Sequence, residues 1–134
     1  MKTATAKKSL SVFFLAVSII AASGVVHAAS ASYNASVPVW GDFESGKLKK
    51  ADTTSAKNKV TYIEDDRALV SWIENQGGSN LTTKVSYSST GSYVMDYAGN
   101  ASGLVGTDVL LNISTGSSNF TSTDTKGSWS PDNF

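Results

Sequence analysis

In the stretch Leu81-Thr-Thr-Lys-Val-Ser-Tyr87, the odd-numbered side chains are apolar or carry a threonine hydroxyl, whereas the even-numbered ones are all polar. Side chains on a strand point alternately to the two faces of a sheet, so this period of two predicts a strand with one face toward a core. The same period recurs in residues 93–97 and 107–113. Residues 68–73 are apolar on both faces apart from Ser71, which predicts a central strand covered on both sides.

Turn-forming residues separate these strands at regular intervals. Clusters of Gly, Ser, Asn and Asp recur about every ten residues, which favours an antiparallel β-sandwich of about seven to eight short strands. Ser88-Ser-Thr-Gly91 predicts a hairpin turn between its two neighbouring strands. Further strands are predicted at residues 37–43, 48–53, 59–63 and near 120–129.

Two features predict sheet edges. Pro38 would open the first strand, and because proline has no backbone N–H to donate, that strand is expected at an edge. Lys47, Lys49 and Lys50 are expected to protect another edge, since lysine side chains disfavour strand pairing between molecules.

The first 28 residues have the layout of a secretory signal peptide. Lysines 2, 7 and 8 precede an almost uncharged apolar stretch, residues 10–26, and Val26-His27-Ala28 places small residues before a cleavage site after Ala28. We therefore expect a signal peptide at 1–28, a flexible N-terminal arm at 29–35 and a single β-sandwich domain at 36–134. The predicted location is extracellular, with no lipid or cell-wall anchor and no stable membrane insertion after cleavage.

Cleavage after Ala28 would change the chemistry open to the chain. It removes three lysines and the only histidine, His27, and leaves 106 residues with 8 basic and 11 acidic side chains, a net charge of −3. The whole chain has no cysteine. Histidine- or cysteine-dependent catalysis, disulfides and imidazole or thiolate metal sites are then excluded, and no cofactor is expected. The acidic balance disfavours a nucleic-acid partner.

Carboxylates could provide two kinds of site, a calcium site and a glycoside-hydrolase site. The run Glu64-Asp65-Asp66 is a candidate calcium site, and its alternative is a solvated turn in which Arg67 pairs locally. A pair drawn from Glu44, Glu64 and Glu74 would suit glycoside hydrolysis if two carboxyl groups met in a cleft. Sequence spacing does not place them together, so the chain is predicted to be non-enzymatic.

Aromatic residues and loops could provide a third kind of site, a surface that binds a partner. Trp40 and Trp129 are candidates for stacking on sugars, and the alternative for Trp129 is an anchor that closes the last strand over the sandwich. Tyr97 and Asn100 are candidates in the glycine-bearing loop. Loops 75–80 and 98–106 are expected to make the contact, because long polar loops carry function more often than strands do.

The lysine-bearing signal, the cysteine-free Ser- and Thr-rich body, Tyr97-Ala-Gly-Asn100 and the closing Gly127-Ser-Trp-Ser-Pro-Asp132 resemble small exported β-rich proteins of Gram-positive bacteria. In style the chain is similar to the lactococcin-972-like bacteriocin family, although members of that family are shorter and carry histidine- and glycine-rich segments. The resemblance implies no site residues. It implies only that a secreted sandwich acts on competitor cells.

Three functions follow in order. The first is a secreted, non-enzymatic β-sandwich that binds an unknown protein or a cell-envelope component. The second is a secreted bacteriocin-like antimicrobial protein, and the third is a small carboxylate-dependent hydrolase.

Overall fold

The computed structural model describes residues 29–133 throughout, together with the backbone at 17–18, 21–22 and 25–26. Between Ser30 and Ser130 it contains eight β-strands and two short 3-10 turns, Glu64–Asp66 and Ala101–Leu104. The strands are β1 (Ser30–Val37), β2 (Phe43–Lys49), β3 (Ala56–Ile63), β4 (Leu69–Asn75), β5 (Val85–Tyr87), β6 (Gly91–Met95), β7 (Asp108–Thr115) and β8 (Thr123–Ser130). The predicted all-β sandwich is confirmed.

The signal peptide predicted over 1–28 and its cleavage site after Ala28 lie outside the described residues, apart from two short backbone ladders. Val17–Ser18 pairs with residues 30–31 of β1, and Ala21–Ala22 pairs with Val25–Val26. The described part of the chain holds no helix long and apolar enough to cross a membrane.

Two antiparallel sheets form the sandwich, in the orders β1-β8-β3-β6 and β2-β7-β4-β5. Consecutive strands change sheet at every step except from β4 to β5, so most loops cross an end of the sandwich. The aromatic end, as we call it, comprises loops 38–42, 64–68, 88–90 and 116–122. The clasp end comprises loops 50–55, 76–84 and 96–107 with residues 131–133. The strand registers place each group of loops together.

The core lies between the sheets and follows the period of two read from the sequence. On β7, Val109, Leu111 and Ile113 are fully buried, and Trp129 on β8 belongs to the same core from the other sheet. Complete burial of a side chain of this size contributes about 1.5 to 3 kcal/mol. These contacts therefore supply much of the force that holds the two sheets together.

A polar cluster also spans the two sheets inside this core. The Tyr33 hydroxyl donates to Asn58 Oδ1 (2.8 Å), and Asn58 Nδ2 donates to Ser71 Oγ (3.0 Å) and the Tyr87 hydroxyl oxygen (3.2 Å). Ser71 and Tyr87 are hydrogen-bonded to each other as well. Because Asn58 and Ser71 are fully buried, these bonds replace the water that their polar atoms lose on folding.

The flexible arm predicted for residues 29–35 is corrected by the structure, because most of it lies in β1. The backbone of β1 pairs with β8 from Val37 to Ala31. Tyr33 and Ala35 are buried, while Asn34 between them is exposed. The sequence of residues 30–37 does alternate between buried and exposed positions. The alternation is weak in the sequence because several of the side chains are those of alanine and serine. Pro38 follows this strand and does not open it.

The hairpin predicted at residues 88–91 is also corrected. Val85–Tyr87 pairs with β4 in the second sheet, whereas Gly91–Met95 pairs with β3 in the first. The turn therefore crosses from one sheet to the other, and the rings of Tyr87 and Tyr93 stack with their centres 4.5 Å apart. A short polar turn between two half-apolar strands fits either arrangement, so local sequence does not distinguish them.

Gly127 lies at a bulge where β8 passes close to β3. A Cβ there would overlap the Lys59 carbonyl oxygen and lie 2.7 Å from the Tyr33 hydroxyl oxygen. We expect Gly127→Ala to lower the free energy of unfolding by about 2 to 3 kcal/mol, because backbone must shift to admit the methyl group. Urea denaturation followed by circular dichroism measures this. Gly46→Ala is the matched control, since a Cβ there meets nothing within 4 Å; equal midpoints for the two variants would contradict the prediction.

Candidate functional site

The three tryptophans differ in exposure. Trp40 is 85% exposed in loop 38–42, whereas Trp72 and Trp129 are 3% and 2% exposed. Trp129 packs in the core, so its predicted place on a stacking surface is corrected to the alternative, an anchor for the last strand. Trp40 projects from the aromatic end, whereas Trp129 lies toward the clasp end of β8, so the two side chains do not share a surface.

Phe120 is a second exposed aromatic residue at the aromatic end, and it is not among the binding residues predicted from the sequence. Its side chain is 75% exposed in loop 116–122. Asn119 holds this loop, since its Nδ2 donates to the Ala68 carbonyl (3.1 Å) and its Oδ1 accepts the Thr121 backbone N–H (3.0 Å). The residues on both sides of Phe120 are therefore fixed, while its ring faces solvent.

Trp40 and Phe120 belong to loops that leave the same place on the first sheet. Val37 is the last residue of β1 and pairs with Thr123, the first residue of β8. Trp40 follows Val37 by three positions, and Phe120 precedes Thr123 by three. The topology thus brings to one end of the sandwich the two large apolar side chains that are most exposed among residues 29–133.

Arg67 links loop 64–68 to loop 116–122 at this end. Its Nη1 donates to the Ser122 carbonyl (3.2 Å), and its guanidinium pairs with Glu64 (3.3 Å) and Asp65 (2.7 Å). Glu64 Oε1 also accepts the backbone N–H of Asp124 (3.0 Å). This local pairing is the alternative predicted for the acidic run.

The run Glu64-Asp65-Asp66 does not form the candidate calcium site. It makes a 3-10 turn in which Asp65 and Asp66 have positive φ angles of 53° and 50°, a conformation that Asp tolerates better than most residues. The first two carboxylates face Arg67, so a cation would compete with the guanidinium for the same oxygens. Within the described residues, no three carboxylates or imidazoles gather where they could hold a metal.

A polar cluster surrounds Trp72 on the outer face of the second sheet. Its indole N–H donates to Glu74 Oε2 (2.7 Å), and Lys84 Nζ lies 4.1 Å from the centre of its ring. Asn112 lies opposite Trp72 on the neighbouring strand and is also buried. Among the described residues, Asn112 Nδ2 is the buried side-chain polar atom without a hydrogen-bond partner. Because Trp72 is covered, this face offers little aromatic surface to a ligand.

Asp42 lies near this cluster at the end of loop 38–42. Burial raises the pKa of its carboxyl group, and the negative charge of Glu74 raises it further, against the lowering effect of Lys84. Glu44 lies on the same outer face, opposite Asn112. Glu64 lies at the aromatic end, so the three glutamates considered for glycoside hydrolysis are not gathered in one cleft.

Two clefts of about 160 Å³ each open at the surface of the sandwich. One lies between β1 and β2 and includes the rings of Tyr33 and Phe43. The other is lined by Lys57, Lys59 and neighbouring residues of β8. Small-molecule sites usually enclose about 300 to 1,000 Å³. Each of these two clefts is therefore smaller than a typical small-molecule site.

Tyr97 and Asn100, the two predicted binding residues of the glycine-bearing loop, make internal contacts at the clasp end. The Tyr97 hydroxyl donates to the Pro131 carbonyl (2.8 Å). Asn100 Oδ1 accepts the backbone N–H (3.0 Å) and the hydroxyl (2.6 Å) of Ser102, which caps the second 3-10 turn. In loop 75–80, Asn75 Oδ1 plays a similar part by accepting two backbone N–H groups.

A buried ion pair between Lys50 and Asp132 closes the clasp end. Lys50 Nζ lies 2.9 Å from Asp132 Oδ1, and both side chains are 0% exposed. The ammonium also donates to the carbonyls of Thr54 (2.6 Å) and Pro131 (3.2 Å), and it lies 4.0 Å from the centre of the Tyr97 ring. The edge-protecting role predicted for Lys50 is therefore corrected, because its side chain points into the protein.

Backbone groups hold the Asp132 carboxylate from its other side. Its Oδ2 accepts the Ala51 N–H (2.8 Å) and its Oδ1 accepts the Asp52 N–H (3.2 Å). The Asp52 side chain is exposed, and its Oδ1 accepts the backbone N–H and the hydroxyl of Thr54. Burial raises the pKa of that side chain, but hydrogen bonds with Thr54 and Asp132 and the charge of Lys50 bring it below its usual value.

No protein-family model, curated protein or solved structure matches the chain. The assignment of a function therefore depends on the two ends of the sandwich, one with exposed aromatic rings and the other with a buried ion pair.

Proposed function

We propose that the protein is a secreted, non-enzymatic β-sandwich that binds a neutral polysaccharide of the cell envelope through its aromatic end. The observation that carries the proposal is the pair of aromatic side chains, Trp40 and Phe120, which are 85% and 75% exposed on loops of one end. Export rests on the signal peptide predicted at 1–28. N-terminal sequencing of the protein from culture medium tests that part, and an uncleaved N-terminus would contradict it.

The chemistry of the aromatic end suits a sugar chain. A sugar ring has an apolar face of C–H groups that packs on a flat aromatic ring, while its hydroxyl groups remain in water. Asn119 and Arg67 already fix loop 116–122, so binding would lose little conformational entropy there. The net charge of −3 after cleavage disfavours anionic wall polymers and favours the uncharged part of a glycan strand.

Retention on purified peptidoglycan sacculi from a Gram-positive bacterium tests the site. We expect Trp40→Ala to weaken retention about tenfold or more, because truncation of a central interface aromatic commonly costs about 2 kcal/mol. Phe120→Ala should weaken it in the same direction. Val105→Ala is the matched control, since Val105 is 43% exposed at the opposite end. Equal retention of the Trp40→Ala and wild-type chains would contradict the proposal.

Tryptophan fluorescence gives a second readout of the same contact. Trp72 and Trp129 are buried, so iodide in solution should quench chiefly the emission of Trp40. Soluble glycan fragments at saturation should protect that emission, and unchanged quenching would count against stacking on Trp40. Release of reducing sugars from the sacculi would instead support the hydrolase, and inhibition of bacterial growth would support the antimicrobial protein.

A further inference from the structure

We infer that Lys50 and Asp132 condense within the folded chain to form an amide bond between their side chains. Lys50 Nζ lies 2.9 Å from Asp132 Oδ1, and the carboxyl carbon is one bond beyond that oxygen. Both side chains are 0% exposed. Two groups held in contact in a site closed to solvent react as if each were at a very high concentration of the other.

Burial favours the amide over the separate ions. In water, an ammonium and a carboxylate are stabilised by solvation, whereas in a closed site each ion carries a desolvation penalty that their attraction does not always offset. The amide is uncharged. Its N–H has the carbonyls of Thr54 and Pro131 as acceptors, and its oxygen has the Ala51 N–H as a donor. The surroundings therefore offer a hydrogen-bond partner to each of the two polar groups of the product.

The reaction balances without an oxidant or a reductant. The Lys50 ammonium first passes a proton to the neighbouring carboxyl groups, which frees the lone pair on its nitrogen. The nitrogen bonds to Cγ of Asp132, and the carbonyl electron pair moves onto an oxygen that the Ala51 N–H stabilises. One C–O bond then breaks, and that oxygen leaves as water with the two protons that the nitrogen loses.

Asp52 is placed to move these protons. Its side chain is exposed to solvent, and its backbone N–H donates to Asp132 Oδ1 (3.2 Å), so this residue lies between the closed site and water. A carboxyl group beside the reacting centre can accept a proton from the nitrogen and deliver one to the leaving oxygen. The Tyr97 ring, 4.0 Å from Nζ, forms an apolar wall on another side of the site.

The amide would join the two sheets covalently. Lys50 follows β2 of the second sheet, and Asp132 follows β8 of the first, 82 positions later in the chain. A cysteine-free chain cannot make such a link through a disulfide. A cross-link of this kind would protect an exported domain against unfolding and proteolysis, and it is independent of the glycan-binding proposal.

Intact-mass spectrometry of the purified full chain tests the inference, with the N-terminus determined on the same sample. The expected mass is one water molecule below that calculated from the sequence. Trypsin cleavage under denaturing conditions should then release a branched peptide in which residues 50–57 are joined to residues 127–134. A mass that matches the sequence, or a loss of water confined to one unbranched peptide, would overturn the inference.

Variants separate the reaction from the ion pair. Asp52→Ala leaves both reactants and the backbone in place, and it should retain the full sequence mass in a folded chain. Asp108→Ala is the matched control, because Asp108 pairs with an exposed lysine, Lys49, at the same end (3.3 Å) and should not affect the loss of water. In Asp132→Asn, condensation would release ammonia instead of water. A water loss that persists unchanged in Asp52→Ala would overturn the role of Asp52.

Discussion

Replacing Asp132 with alanine, in a chain whose Lys50 and Asp132 have not condensed, is expected to lower the free energy of unfolding by at least about 3 kcal/mol. The variant would leave the Lys50 ammonium fully buried, with the carbonyls of Thr54 and Pro131 as its remaining acceptors. It would also leave the Ala51 N–H without its carboxylate. An uncompensated charge costs more than the lost attraction alone, because folding still strips the ammonium of water.

Urea denaturation measures the difference when Asp132 is replaced in the Asp52→Ala chain, in which the amide is not expected to form. The double variant Lys50→Met/Asp132→Leu should recover the part of the loss that comes from the unpaired charge, because it removes both ions and keeps apolar volume. Lys49→Met is the matched control, since Lys49 forms an exposed pair with Asp108 and such pairs contribute about 0 to 1 kcal/mol. A stability of Asp132→Ala equal to that of Lys49→Met would contradict the prediction.

The strands that the sequence predicts best are those whose alternation is strong and apolar. Residues 107–113 alternate large aliphatic side chains, and the structure places β7 there with Val109 and Leu111 in the core. In β1 the buried positions include Ala35, a small side chain between Asn34 and Ser36. Period alone identifies such a strand poorly, because its pairing with β8 and its burial arise from contacts about ninety positions away in the sequence.

The candidate sites illustrate a second limit of the sequence. Trp40 follows Pro38 and Val39, whereas Trp129 lies between two serines. Nevertheless Trp40 is exposed and Trp129 is buried, because Trp129 lies on the inward face of β8. Lys50 follows two exposed lysines, Lys47 and Lys49, and nothing in the local sequence distinguishes it from them. Its burial depends on Asp132, which only the register of the two sheets brings near. The isolation of Phe120 among polar residues is the signal that the local sequence offers for its exposure.

Raising the pH from about 9 to about 11 is expected to lower the free energy of unfolding by about 3 kcal/mol through Tyr33 and Tyr87. Burial raises the pKa of Tyr87 to about 12, with Tyr93 adding to the effect and hydrogen bonds from Ser71 and Asn58 opposing it. Burial raises the pKa of Tyr33 still further, assisted by Tyr87 and opposed by its hydrogen bonds. Both hydroxyl groups belong to the polar cluster between the sheets.

The sign follows from comparing the folded and unfolded chains. An unfolded tyrosine ionises near its ordinary pKa of 10.0, whereas the folded protein keeps these two hydroxyl groups protonated to higher pH. Their contribution to stability is therefore complete below pH 10.0 and is lost as the pH rises toward the folded values. Between pH 10.0 and the folded pKa, the contribution of each group to the free energy of unfolding falls by about 1.4 kcal/mol per pH unit. Tyr97 acts in the same direction, since burial and two aspartates raise its pKa, but it is partly exposed and is not counted.

Urea denaturation at a series of pH values measures the slope, and tyrosinate absorbance shows whether ionisation accompanies unfolding. Tyr33→Phe should halve the slope contributed by the pair, because one of the two groups that bind a proton more tightly in the folded state is removed. Tyr62→Phe is the control, since Tyr62 is 43% exposed and lies outside the cluster. The interpretation requires that the hydroxyl groups between the sheets ionise only when the sandwich opens. Full tyrosinate absorbance in a chain that remains folded at about pH 11 would contradict it.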